Sequence, residues 1–158
     1  LDPTTRTLIS DRGERQRFDL ASVIPPQRAP LFIEEAGLGA PFVPVDPATF
    51  RVRGQENVYA FGDVAASPYT KSAFTAFLQG RNAAYHIARA LGRDRGDPDP
   101  VFNQCWPYVS SREALLVEVA WDKDGRAIPG RNRTAPASPK HVADRKRWEY
   151  GILRAAYG

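Results

Sequence analysis

Asp63 is the residue whose setting says most about chemistry. It closes the stretch Asn57-Val-Tyr-Ala-Phe-Gly-Asp63, in which the apolar run 58–61 is long enough for one buried strand and Gly62 breaks it. Gly62 carries no Cβ, so a bulky group can approach the backbone there. A carboxylate at the carboxyl end of a strand can accept hydrogen bonds from sugar-like hydroxyls. A helical period then begins, opened by Pro68 to Ser72, whose unsatisfied N–H groups and positive dipole end point into the same crevice. With Lys71, Ser72 and Ala73 at the helix start, the arrangement suits a polyol chain running into an electron-rich ring. Taken singly, Asp63 reads first as a turn or N-cap residue, and Lys71 as a solvated cation; the combination with Gly62 and the helix start reverses the balance.

Cys105 is the single cysteine, which excludes a disulfide within these residues. It reads either as a small buried hydrophobe or as an unpaired, reactive thiol. Trp148 reads as a core aromatic on the last helix. His86, beside the apolar face of the earlier helix, is given no role. The sequence has no zinc-type Cys/His spacing, no Gly-rich phosphate loop and no Ser/His/Asp arrangement.

The elements that must position these residues follow from pattern. Thr5 to Ser10 alternates, Asp11-Arg-Gly13 signals a turn and Gln16 to Val23 returns, which predicts a hairpin. Pro25-Pro26 forces an extended exit, either a plain loop or one lying against a cofactor. A short helix over 34–37 ends at Gly37 or Gly39. Short extended segments at 42–46 and 49–52, joined at Asp46-Pro47, lead to the run 58–61. Ala73, Phe77, Gly80, Ala84, Ile87 and Leu91 recur at helical spacing and give a long helix one apolar face, with Arg81 and Arg89 outside it. The polar stretch 92–100 is the expected domain boundary. Beyond it two or three antiparallel strands are expected, with a hairpin turn at Asp122-Lys-Asp-Gly125, then a long loop over 129–139. A final helix over 141–157 carries Val142, Trp148, Ile152 and Ala156 near one side.

Composition sets the outer limits. The 158 residues are 42% hydrophobic, enough to bury a core, with a formal net charge of +4. Basic residues gather only near the end, at Arg133, Lys140 and 145–147, and read as a solvated helix face; no nucleic-acid partner is expected. No apolar run is long enough to span a membrane. The chain opens without Met or a signal peptide, in what reads as a strand region, so it is expected to be the C-terminal piece of a longer protein.

Several segments together resemble a known family. The 57–65 stretch resembles the second FAD fingerprint of the pyridine nucleotide-disulfide oxidoreductase superfamily. More narrowly, Ile24-Pro-Pro-Gln-Arg-Ala29, Pro44-Val-Asp46, Lys71-Ser-Ala-Phe74, Asn103-Gln-Cys105 and the helix carrying Trp148 resemble, in order, the flavoprotein subunit of flavocytochrome c sulfide dehydrogenase. The resemblance implies FAD as cofactor, with Gly62 and Asp63 at the ribityl hydroxyls, Lys71, Ser72 and Ala73 toward the flavin ring, and Trp148 near it. It implies Cys105 as the catalytic residue, one half of a redox-active disulfide whose partner cysteine lies outside these residues. It implies sulfide as substrate, a c-type cytochrome as electron acceptor and a periplasmic location.

The implied fold is α/β: residues 1–93 complete a Rossmann-like FAD-binding domain, and 94–158 form a small α+β interface domain of antiparallel strands plus a C-terminal helix. Two alternatives stand beside this. One is a sulfide:quinone reductase or other FAD-dependent disulfide oxidoreductase, which a charged C-terminal end (Asp144-Arg-Lys-Arg147, Arg154) disfavours. The other is a non-catalytic interaction or dimerisation domain. The N-terminal Gly-x-Gly-x-x-Gly of the family is not in this sequence, so these residues alone are expected to bind flavin weakly or not at all, and to self-associate through 58–61 and the apolar side of the long helix or to rearrange that region.

Overall fold

The structure, a computed structural model, describes residues 1–93 and 96–158, except the side chain of Ala156. The expected boundary at 92–100 therefore falls partly outside the described residues, as does Ala156 on its helix. The fold is mixed α/β with antiparallel sheets and a C-terminal helix.

The expected first hairpin is present but short: β1 (Thr7–Ile9) pairs antiparallel with β2 (Arg15–Arg17). Asp11–Gly13 makes the turn, with Gly13 at φ +82°. Arg15–Arg17 is exposed along its length, so no core face extends the second strand to Val23. Helix α1 (Leu31–Glu35) starts earlier than expected and stops before Gly37, whose φ is +70°.

β3 (Val43–Pro44) and β4 (Ala65–Ala66) form a parallel pair. Isolated bridges Val45–Val52 and Arg51–Tyr59 add the two segments between them. The run 58–61 is thus not a buried strand. It lies antiparallel against 50–52, with Val52 N–H donating to the Val58 carbonyl at 2.8 Å and Ala60 N–H to that of Phe50 at 3.0 Å. Its side chains are half-buried, and Phe61 is exposed. Val43, Val45, Val52 and Ala65 are buried as one apolar cluster beneath these segments.

α2 (Ala73–Ala90) forms where expected, capped by Ser72, but it buries a different face. Its buried residues are Thr75, Leu78, Gln79, Asn82 and Ala83. The predicted apolar stripe faces outward, with Phe77 47% and Leu91 73% exposed. The reason is hydrogen bonding: the polar side chains of the inner face each satisfy backbone or side-chain groups that would otherwise be buried without partners. Asn82, for example, donates to the Asp99 carbonyl and accepts from the Asp99 N–H, both at 2.8 Å.

β5 (Phe102–Cys105), β6 (Ala114–Ala120) and β7 (Arg133–Ser138) make a three-stranded antiparallel sheet in that order. The Asp122–Gly125 turn is present: Trp121 bridges Ala127, and Gly125 N–H donates to the Asp122 carbonyl at 3.0 Å. The third strand, however, is 133–138, inside the stretch expected to be a long loop. Pro136 within it hid the signal, and Pro is tolerated because β7 is an edge strand. α3 (Pro139–Tyr157) follows directly, and its buried His141 places Nδ1 3.0 Å from the Ala114 carbonyl, tying the helix to β6.

A second core joins the parts. Phe50, Tyr69, Ala83, Val101 and Trp121 are buried together. Tyr69 packs edge-on to Trp121 at 5.5 Å and donates its hydroxyl to the Pro47 carbonyl at 2.9 Å. Burial, reinforced by Asp122, Asp46 and Asp124, pushes the Tyr69 pKa from 10.0 to about 12. An acid whose folded pKa is raised contributes stability that is complete below its unfolded pKa and lost as pH climbs through the folded one. Urea midpoints should therefore fall between pH 10.0 and about 12, and fall less in Tyr69→Phe. An equal fall in both proteins would mean that the phenol ionises as readily folded as unfolded.

Candidate functional site

Asp63 sits in a single 3₁₀ turn, Gly62–Val64, between the extended run and β4. Gly62 takes φ +72°, a left-handed conformation that glycine adopts without cost. Its N–H donates to Gln79 Oε1 at 2.7 Å. Lys71 Nζ donates to the carbonyls of Asp63 and Ala65 at 2.7 and 2.9 Å, and lies 3.9 Å from the centre of the Phe42 ring. Burial lowers the Lys71 pKa, and Asp63 acts in the opposite sense. Two side chains of α2 and its approach thus clamp the turn through its backbone. The Asp63 carboxylate is exposed and accepts no hydrogen bond from any described residue.

A Cβ placed on Gly62 would lie 3.2 Å from Ala76 Cβ. Among the described residues, what comes close to that backbone is α2. Glycine serves the turn's dihedral and the close packing of the helix.

The start of α2 is the second part of the site. Ser72 Oγ accepts from the Thr75 N–H at 3.3 Å as N-cap. The N–H groups of Ala73 and Phe74 have no acceptor among the described residues. Ser72 also donates to Asn103 Oδ1 at 2.7 Å, and Thr75 Oγ1 lies 3.4 Å from the same oxygen. Asn103 is 3% exposed. Its amide NH₂ donates to Cys105 Sγ at 3.2 Å, and that sulfur also lies 3.6 Å from Asn103 Oδ1. Asn103 and Cys105 are two apart on β5, so their side chains share one side of the strand. Cys105 is a free thiol of intermediate exposure, between the two readings of the sequence.

Trp148 closes the site from α3. It packs edge-on to Phe74 at 5.5 Å and 5.7 Å from Trp106, while Phe74 packs edge-on to Phe102 at 5.0 Å. Among the described residues, the buried Nε1 atoms of Trp106 and Trp148 have no partner. Trp148 is half-buried, belongs to neither apolar core, and adjoins the residue following Cys105.

The structure brings Gly62, Asp63 and Lys71 into one turn and Ser72, Cys105 and, through Phe74, Trp148 into one cluster; α2 joins the two. Ala73 contributes its N–H. The residues that sequence reasoning missed are Gln79, Thr75 and the bridging role of Asn103. A signal existed: Thr75, Gln79 and Asn82 recur at helical spacing, a polar stripe opposite the apolar one. An exposed carboxylate beside unpartnered helix N–H groups suits a ligand with hydroxyls at one end and an electron-rich ring at the other. Among the described residues, no group of three or more His, Cys, Asp or Glu is placed to hold a metal ion, and no helix is long and apolar enough to cross a membrane. Against known protein families, the chain matches no family model.

Proposed function

We propose that this chain is the C-terminal part of an FAD-dependent sulfide dehydrogenase, as its resemblance to the flavocytochrome c flavoprotein implies. The observation that carries the reading is the pairing of a clamped turn, which offers a free Asp63 carboxylate, with a helix start hydrogen-bonded through Asn103 to the sole cysteine. Asp63 accepts from the ribityl hydroxyls. The N–H groups of Ala73 and Phe74, at the positive end of α2, favour negative charge on the ring. FAD, when bound, supplies a two-electron acceptor. Lys71 and Gln79 keep Asp63 in place and do not touch the cofactor. On this reading residues 1–93 belong to a Rossmann-like domain and 94–158 to an interface domain that meets a c-type cytochrome in the periplasm.

Cys105 is one sulfur of a disulfide whose other cysteine lies outside these residues. Hydrosulfide attacks that disulfide, the S–S bond breaks, a new S–S bond forms to one cysteine and the other leaves as thiolate. The Asn103 N–H on Cys105 Sγ offers a donor to the charge that appears when Cys105 is the leaving sulfur.

In the protein that carries this chain, Asp63→Ala should lose flavin on dilution, the missing charge-assisted acceptor being worth ~1.5–3 kcal/mol. Cys105→Ser should keep its flavin and lose sulfide oxidation, because a hydroxyl cannot form the mixed disulfide. Flavin absorbance and sulfide-dependent cytochrome reduction measure both. A Ser variant with full turnover, or an Ala variant with full flavin content, removes the corresponding residue from the mechanism.

One observation favours a second reading, in which these residues serve assembly. The outward stripe of Phe77, Ile87 and Leu91, continued by exposed Phe61, is an apolar surface on a structured helix. Sedimentation of the 158-residue chain should show concentration-dependent self-association that Phe77→Ser with Leu91→Ser abolishes. A monomer at all concentrations would exclude it.

A further inference from the structure

A pocket of about 420 Å³ opens beside the β5–β6–β7 sheet, and its lining includes Asn103 and Gln104, the two residues before Cys105. That size falls in the range of small-molecule sites, roughly 300–1,000 Å³. Phe102 and Ala120 supply apolar wall, and Glu118, Arg131 and Arg133 supply charge; Val119, between Glu118 and Ala120 on β6, packs against the second core.

The charges are not equivalent. Glu118 is paired with Arg133 and accepts from Gln104 Nε2 at 2.6 Å. Those hydrogen bonds, from Arg133 first and Gln104 second, hold its carboxyl below the usual range, so it stays ionised at neutral pH and cancels one guanidinium. Arg131 is different. Its side chain has no hydrogen-bond or ion-pair partner among the described residues, and it lines the pocket. Its backbone is fixed: Gly130 turns the chain at φ +75°, and Arg131 N–H donates to the Ile128 carbonyl at 3.1 Å. Two guanidiniums against one carboxylate leave a net positive charge in the pocket; Arg131 also acts on Glu118 through its charge, but it is the arginine that makes no ion pair or side-chain hydrogen bond among the described residues.

We propose that this pocket binds a small organic monoanion, a carboxylate on a flat apolar body, with the carboxylate on Arg131 and the body against Phe102 and Ala120. A planar guanidinium matches a carboxylate through two parallel hydrogen bonds. The ionised Glu118 opposes a dianion, Arg131 opposes a cation, and the apolar wall gives nothing to a small inorganic ion. The site is independent of the flavin reading and survives its failure.

Benzoate is the probe, titrated into the 158-residue chain while backbone amide resonances are followed by NMR, with benzamide as neutral and benzylamine as cationic counterparts. Benzoate should give saturable shifts centred on Val119, Ala120 and Gly130. Benzamide should bind at least about tenfold more weakly, and benzylamine not at all. Arg131→Gln, at an exposed position, should weaken benzoate by about tenfold, ~1.4 kcal/mol. Glu118→Gln, which releases Arg133, should tighten it. Absence of saturable shifts, benzamide binding as well as benzoate, or an Arg131→Gln variant with unchanged affinity would each overturn the proposal.

Discussion

A single buried amide, Asn103, holds the start of α2 against the strand that carries Cys105. Its oxygen receives the Ser72 hydroxyl at 2.7 Å, with Thr75 3.4 Å away, and its nitrogen gives a hydrogen to Cys105 Sγ at 3.2 Å. A buried amide in this position is costly unless both ends are satisfied, since each unmet group carries a desolvation penalty of ~1–3 kcal/mol. Satisfaction at one end therefore fixes what the other end faces.

The same logic runs along the whole inner face of α2. Gln79 holds the Gly62 N–H, Asn82 holds both backbone groups of Asp99, and Ser72 and Thr75 hold Asn103. Each bond ties a different segment of chain to one rigid helix. Apolar burial is divided between two modest clusters on either side of this polar spine. The Asp63 turn and the Cys105 strand are thus held in register by hydrogen bonds to α2, not by direct contact with each other. Side chains fixed by such a framework present functional groups with little reorganisation.

This arrangement also explains what the sequence could reveal. Local signals were legible where local chemistry decides: the Asp11–Gly13 and Asp122–Gly125 turns, the Ser72 cap, and the extents of α2 and α3. Burial was not legible where partners lie far along the chain. The period of Ala73, Phe77, Ala84 and Leu91 marks an apolar face, but burial follows Thr75, Gln79 and Asn82, whose partners are 17 to 28 residues away. β7 was hidden because Pro136 reads as a strand breaker, and only its edge position makes it permissible. Asp63 and Lys71 could be placed at one turn from the sequence, but the role of Lys71 as a backbone clamp depends on the turn's three-dimensional path.

The central claim is that Ser72 and Asn103 act as one unit joining the helix start to the Cys105 strand. A double-mutant cycle of Ser72→Ala and Asn103→Ala, read by urea unfolding, measures that directly. A coupling of ~1 kcal/mol or more is the predicted result, since the second substitution should cost little once the first has removed the shared bond. Effects that add to within ~0.3–0.5 kcal/mol would show that the two residues do not depend on each other, and would contradict the account.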